Sequence, residues 1–274
     1  LKDFLNVAAM ANLAHLHRTA TEGWQARGEP TDIAIQVFAS RFNWGLDRWT
    51  KGDKPTWHQQ AEYPFDSSVK KMSVIFSKRD DNSEKTREMI FTKGAVERVL
   101  EACTTIKWKP GSDPVPLEDE MRNEILQNME ALAKEGLRVL AMAGRENTAP
   151  VKEGGEPLPR EEVEKDLSFY GLIGLYDPPR PETAGAIDLC YKAGISVHMV
   201  TGDHPGTARA IAAQVGIIPA NMDMVAKDVA DAMVMTASQF DKLTEDEIDA
   251  LPTLPLVIAR CAPNTKVRMI DALH

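Results

Sequence analysis

The sequence predicts an α/β protein in two parts: an antiparallel sheet flanked by helices over residues 1–175, then a partial parallel sheet over 176–274. Three observations carry this. Residues 72–93 hold two apolar-polar alternating runs joined by a charged connection, the pattern of a hairpin. Residues 171–215 instead run strand, helix, strand, helix, with joins as short as Ala193-Gly194, as right-handed parallel crossovers do. The 274 residues show no internal repeat or low-complexity tract and suffice for two ordinary domains.

Taken in order, residues 3–17 place Leu5, Ala9, Leu13 and Leu16 on one side and are expected to form one helix. A Pro-rich first turn opens a second helix over 30–39. Residues 44–60 are polar, hold Gly45, Gly52 and Pro55, and read as loop. In the hairpin, Val74, Phe76, Met89 and Phe91 supply the apolar alternation and 78–85 the charged connection. A short helix over 96–102 and a strand over 104–109 follow. Met121, Ile125, Met129 and Leu132 make a stripe along a helix over 117–135, stopped at Gly136. Residues 138–144 read as a strand and 148–160 as a Gly/Pro/Glu loop. In the second part, 171–176, 196–201 and 256–259 are expected strands. Residues 181–193, 206–215 and those from 263 onward are expected helices. The boundary falls near residues 175–179.

Composition narrows the function. Hydrophobic residues at 43% and charged residues at 27% are globular values. A net charge of −9 disfavours nucleic acid and anionic membrane surfaces as partners. Cys103, Cys190 and Cys261 lack metal-ligand spacing and fit small buried side chains in a reducing compartment. No apolar run approaches the roughly 18 residues of a membrane helix. The chain starts at Leu1, shows no signal-peptide pattern, and is expected to be a piece of something longer.

Several short segments can carry chemistry. FDSSVKKMS, residues 65–73, places Phe65 five positions before Lys70. Phe65 can stack on a purine face, worth about 1–3 kcal/mol, and Lys70 can meet a phosphate as a point charge. The ordinary alternative is a core Phe and a solvated Lys. FTKGAVERV, residues 91–99, puts Lys93 at a strand end and Gly94 in a turn that a ligand can approach closely. The alternative is a plain strand-turn-helix join. GEPTDIAI, residues 28–35, sets Glu29 and Asp32 in a first helical turn, where acids ordinarily complement the helix dipole. GLRVLAMA, residues 136–143, sets Arg138 on an otherwise apolar strand, so its guanidinium must reach solvent, a carboxylate or a phosphate.

MVTGD, residues 199–203, is the most specific of these segments. Thr201, Gly202 and Asp203 follow a strand and precede a helix, where an open α/β sheet holds its ligand. Hydroxyl, backbone N–H groups and carboxylate suit a phosphoryl group and its metal. The alternative is a helix N-cap made by Asp203 or Thr207. Lys266 lies one turn into the last helix and alone is a surface lysine. His15, His17, His58, His198, His204 and His274 form no metal pattern.

In order and approximate spacing, GEPTDIAI, FDSSVKKMS, KGA, GLRVLA, DPPR, MVTGD and ARCAPNTKVRMI resemble the P-type cation ATPases over nearly the whole chain. The tail from Met233, MVMTASQFDKLTEDEIDALPTLPLVIARCAPNTKVRMIDALH, is similar to the fungal sodium/potassium-exporting pumps of the ENA type. The resemblance implies a nucleotide-binding domain inserted into a phosphorylation domain with a haloacid-dehalogenase-like, Rossmannoid fold. Residues 1–175 would be the former without its first strands, and 176–274 part of the latter. It implies ATP with Mg²⁺ as cofactors. The implied partners are the remaining phosphorylation, actuator and membrane domains of a parent pump, and the implied location is the cytoplasmic side of a plasma membrane. Site roles follow from the same resemblance. Phe65 stacks on adenine, Lys70, Lys93 and Gly94 line the pocket, and Leu140 forms an apolar wall. Arg138 bridges ATP to the phosphorylation domain. Asp177 and Arg180 belong to the hinge, with Asp177 facing the nucleotide. Thr201, Gly202 and Asp203 support the phosphoryl group and the ribose side, and Lys266 neutralises an aspartyl phosphate.

The departures matter as much. Asp32 stands where related pumps carry a Glu at the adenine edge, and Ser67 where related calcium pumps carry an Arg. The DKTGT segment with the phosphorylated Asp and the magnesium-holding GDGVND segment are absent. The chain is therefore expected to bind ATP without hydrolysing it, the nucleophilic carboxylate lying elsewhere in the pump. A calcium pump is the near alternative. A self-sufficient haloacid-dehalogenase-like phosphatase would turn over a small phosphate ester, and a non-enzymatic scaffold would be indifferent to Phe65.

Overall fold

The computed structural model describes all residues except 20, 22, 52–54, 80–85, 110, 149–157, 222–223 and 274. It opens with α1 (Lys2–Met10). The helix expected over 3–17 stops at Met10 because Asn12 takes over the backbone. Its Nδ2 donates to Ala8 O (3.2 Å) and its Oδ1 accepts from Ala14 N (2.8 Å). Local bonding of this kind competes with helix continuation. Beyond it, β1 (His15–Thr19) pairs antiparallel with β2 (Gly23–Arg27), so Leu16 sits in a strand. α2 (Pro30–Arg41) begins with Pro30 as expected.

Residues 44–60 are not a loop: they form α3 (Leu46–Thr50) and the start of β3 (Trp57–Asp66). Three tryptophans outweigh the polar composition. Trp44 and Trp49 tilt together at 4.8 Å, and Trp57 is buried edge-on to Phe91 at 5.6 Å. β4 (Lys71–Arg79) and β5 (Thr86–Ala95) form the expected hairpin, whose connection over 80–85 lies outside the described residues. Then come α4 (Val96–Glu101), β6 (Cys103–Ile106), β7 (Val115–Pro116), α5 (Asp119–Lys134), β8 (Leu137–Glu146), α6 (Arg160–Val163) and β9 (Leu167–Tyr176). Most of the loop expected over 148–160 also lies outside the described residues. The sheet order is β3-β4-β5-β8-β9-β6-β7. β3, β4, β5 and β8 pair antiparallel in turn, while β6 runs parallel to β9. Met72, Val74, Phe76, Phe91 and Met142 pack on Val7, Ala8, Met10, Ile35 and Ala39 of α1 and α2. Full burial of each large side chain contributes about 1.5–3 kcal/mol.

The remaining elements are α7 (Thr183–Lys192), β10 (Met199–Val200), α8 (Pro205–Gln214), α9 (Lys227–Met233), β11 (Val234–Thr236), α10 (Ala237–Phe240), α11 (Glu245–Asp249), β12 (Val257–Ala259) and α12 (Pro263–Ala272). β10, β12 and β11, in that order, make a parallel three-stranded sheet. The strand expected over 196–201 is only two residues long. By packing, the chain divides into two units: Leu1–Leu126 with Val139–Leu175, and Gln127–Arg138 with Tyr176–His274. The end of α5 and the start of β8 therefore pack with the later residues. Among the described residues, no helix is long and apolar enough to cross a membrane.

One buried and one partly buried group give the first unit an alkaline limit. Burial pushes the Cys103 thiol from 9.0 up to about 12, with Arg122 and Lys71 pulling it down. Burial also raises the Tyr170 hydroxyl, helped by Asp3 and Cys103. Both folded values lie above the unfolded ones, so the native state keeps protons that the unfolded chain releases. The Cys103 contribution is complete below pH 9.0 and is lost as pH rises towards about 12, and that of Tyr170 is complete below pH 10.0 and is lost as pH rises above it. The thermal midpoint is expected to fall across that window, and Cys103→Ala to flatten the fall. An equally steep fall in the variant would remove the thiol from the account.

Candidate functional site

Strand register gathers four of the expected residues at one end of the large sheet. Asp66 pairs with Lys71, Lys71 with Gly94, Gly94 with Ala141, and Ala95 with Leu140. Phe65, Lys70, Gly94 and Leu140 thus lie at the same end of β3, β4, β5 and β8. Phe65 is not a core residue: 62% of it is exposed. Lys70 closes the β3–β4 turn at φ 54, and its N–H donates to Asp66 O (2.7 Å). Gly94 does permit a close approach, but by this chain's own backbone. A Cβ there would stand 2.4 Å from Lys70 O and 2.9 Å from Lys71 Cα. Ala95 N donates to the same Lys70 carbonyl (3.0 Å).

Lys93 and Asp32 are brought together, with each other. Lys93 is 5% exposed, and its ammonium donates to Asp32 Oδ1 (2.6 Å) and to Ala11 O. Asp32 Oδ2 accepts from Leu13 N (3.0 Å), and Asp32 O from Asn12 Nδ2 (2.9 Å). Burial lowers the Lys93 pKa, and the Asp32 carboxylate opposes that shift. Lys93 is thus not the exposed lysine of a plain strand-turn-helix join, and Asp32 does more than complement the helix dipole. The pair ties the end of α1 and the first turn of α2 to β5.

Within the second unit, Thr201, Gly202 and Asp203 form the turn after β10. Thr201 N donates to Ile258 O (2.9 Å), continuing the β10–β12 ladder. Thr201 Oγ1 accepts from Asp203 N (3.1 Å) and donates to Asp203 Oδ2 (3.1 Å). Arg138 reaches a carboxylate: Nε and Nη2 both donate to Asp203 Oδ1, at 3.0 and 2.8 Å. The α8 cap is neither Asp203 nor Thr207 but His204, whose Nδ1 accepts from Gly206 N (3.2 Å). Thr207 Oγ1 donates instead to Leu137 O (2.7 Å).

Cys261 borders the same turn, which sequence reasoning missed. Its N–H donates to Thr201 O (2.9 Å) and its thiol to Ile258 O (3.2 Å). Burial raises the thiol pKa, while the Thr201 backbone and the Lys266 ammonium hold it down. Lys266 is exposed on α12. Asp177 and Arg180 are exposed ahead of α7. Among the described residues, no group of three or more His, Cys, Asp or Glu is placed to hold a metal ion.

The profile of the P-type ATPase cytoplasmic domain N matches residues 1–182. The chain belongs to the P-type ATPases. A sodium/potassium exporting P-type ATPase of Schizosaccharomyces pombe is 47% identical over 98% of this chain and 24% of its own length. One from Saccharomyces cerevisiae is 43% identical over 99% of this chain and 27% of its own length. A calcium-transporting ATPase of Bacillus cereus is 35% identical over 90% of this chain and 25% of its own length. The chain thus spans about a quarter of the length of these relatives.

All five tryptophans lie before residue 126, so their fluorescence reports this P-type ATPase chain's first unit alone. Lys93→Met is expected to destabilise that unit by about 3–5 kcal/mol, because it strands a buried carboxylate. Adding Asp32→Asn is expected to recover part of the loss. Urea unfolding read by tryptophan emission checks both. A double variant no more stable than Lys93→Met would refute the pairing energy.

Proposed function

We propose that this chain is the ATP-binding cytoplasmic part of a cation pump that works through an aspartyl phosphate. On this reading the first unit is the nucleotide-binding domain, and the second is part of a haloacid-dehalogenase-like phosphorylation domain. The observation that carries it is Phe65. A large aromatic ring stands 62% exposed on the backbone-braced end of a sheet, in a chain of this family. An exposed ring on a rigid strand end fits a purine face, and Lys70 beside it fits a phosphate. Leu140 supplies apolar wall at the same sheet end.

Lys93 and Asp32 take a different part from the one the family resemblance implies. Both Asp32 oxygens already accept hydrogen bonds, so contact with an adenine edge would require one of them to be given up. Their work is to brace the pocket. In the second unit, Thr201 and Asp203 would support the phosphoryl group, and Lys266 would offset its charge. Arg138, fixed by Asp203, would turn towards the nucleotide, with Asp177 and Arg180 at the hinge. Mg²⁺ would arrive with the ATP phosphates. The carboxylate that takes the γ-phosphate is not among these residues, so ATP binds here without being hydrolysed.

Sodium or potassium is the cargo favoured by identities of 47% and 43% with exporters of those ions. Calcium is the second reading, favoured by 35% identity with a calcium-transporting relative. In either case the parent is membrane-embedded, with this part on the cytoplasmic side.

ATP is expected to bind with a dissociation constant of about 0.1 to several mM, or roughly −4 to −5.5 kcal/mol. Phe65→Ala is expected to weaken binding by more than about 1 kcal/mol, roughly fivefold, while tryptophan emission stays native. Titration followed by amide shifts at Phe65 and Lys70 tests this. A spectrum unmoved at saturating ATP, or an unchanged affinity in Phe65→Ala, would sink the proposal.

A further inference from the structure

Behind the sheet end that carries Phe65 and Lys70 lies a buried polar cluster with no part in the function described so far. Glu164, just beyond α6, keeps only 3% of its side chain exposed. Its Oε1 accepts from Ser73 Oγ (2.9 Å), which also shares a hydrogen bond with Thr92 Oγ1 (2.8 Å). Lys71 Nζ stands 3.3 Å from its Oε2 and Arg160 Nε 3.7 Å from its Oε1. An ionised carboxylate is not buried without such partners.

What Glu164 holds is the more telling part. Arg160 Nη2 donates to Pro64 O, and Nη1 to Lys71 O (3.4 Å). Pro64 immediately precedes Phe65, and Lys71 immediately follows Lys70. One guanidinium thus clasps the backbone on both sides of the turn that presents the two ligand-facing side chains. The planar fork of arginine suits this bridging, whereas a lysine ammonium offers one point of contact. Arg160 also bears on the turn's acid: the Asp66 carboxyl sits below its usual range, chiefly through Ser68 hydrogen bonds and also through Arg160. Tyr63 OH adds a further tie to Leu158 O (2.7 Å).

Alternation along β4 shows which side this is. Met72 and Val74 face the core under α1 and α2, and Lys93 lies opposite Met72 on that face. Lys71 and Ser73 point the other way. The Arg160–Glu164 cluster therefore acts from the face opposite Lys93, through carbonyl groups and not through a ligand.

We propose that Arg160, held by Glu164, is a positioning residue that sets the Phe65–Lys70 turn for nucleotide binding. The inference rests on the ATP reading of that turn. The test uses the 274-residue chain with Arg160→Met and Arg160→Lys. ATP affinity, the urea midpoint from tryptophan emission, and the amide signals of Phe65 and Lys70 without nucleotide are measured for each. Arg160→Met is expected to weaken ATP binding at least threefold and to shift both amide signals before ATP is added. Arg160→Lys is expected to fall between Arg160→Met and the unaltered chain. Equal affinity in all three chains, or losses that only track the unfolded fraction, would overturn the inference. Should the unaltered chain bind no ATP, the nucleotide reading fails, and amide signals of Phe65 and Lys70 unmoved in Arg160→Met would then refute the positioning role by itself.

Discussion

The buried ammonium of Lys93 organises the first unit. Taking a charge out of water is unfavourable by several kcal/mol, and the loss is offset only when geometry and hydrogen bonding are good. Here the ammonium meets the Asp32 carboxylate and the Ala11 carbonyl at the C-terminal end of α1. A cation at that end also complements the helix dipole. The other Asp32 oxygen takes the Leu13 N–H, and the Asp32 carbonyl takes the Asn12 amide. One ion pair therefore secures the end of α1 that Asn12 breaks, holds the chain entering β1 and anchors the first turn of α2 on β5. Each of these is a consequence of where the charge must go.

A second constraint is purely steric. The Lys70 carbonyl approaches Gly94 so closely that no side chain fits there, and it is held by Ala95 N–H. Lys70 itself is in the left-handed region, which bulky residues avoid unless their surroundings impose it. Strand end, turn and glycine form one unit, braced on one face by Lys93–Asp32 and on the other by Arg160–Glu164. A flat ligand meeting Phe65 would find a surface already ordered, so little binding energy would go into arranging it.

These causes explain what could be seen in the sequence. The β4–β5 hairpin and α5 were legible because alternation and the Met121-to-Leu132 stripe are local patterns. The stop of α1 was not, because the local Asn12 bonds that end it are completed by Asp32 and Lys93, twenty and eighty residues further on. β3 was missed because an edge strand with exposed Gln59, Gln60 and Glu62 carries no apolar alternation. The capping boxes at Thr236 and Thr244 were there to be read, each with its Gln or Glu three residues on. At the site, the register of β3, β4, β5 and β8 gathers four motif residues, Phe65, Lys70, Gly94 and Leu140. Whether a lysine there faces a ligand or a buried Asp is a tertiary choice that spacing does not encode. Arg160 and Glu164 offered only an opposite-charge pair four residues apart, since their other partners, Lys71, Ser73 and the Pro64 and Lys71 carbonyls, are far off in sequence.

The two ion pairs built on motif residues differ in kind. Lys93 and Asp32 keep 6% and 12% of their side chains exposed, and a break between them leaves a charge stranded. Arg138 and Asp203 keep 42% and 24%, so water screens them, and an exposed pair of that sort is worth about 0–1 kcal/mol. The first is expensive to open and serves architecture. The second can trade one partner for another at little cost, with the Thr201 hydroxyl already bonded to the carboxylate that would be left behind. On the proposed reading, the phosphoryl-transfer site would need the second kind where charge arrives and departs, and the first kind where the scaffold must not yield. The two pairs are sorted accordingly: Lys93 and Asp32 are locked beneath the surface, and Arg138 and Asp203 are left in reach of solvent.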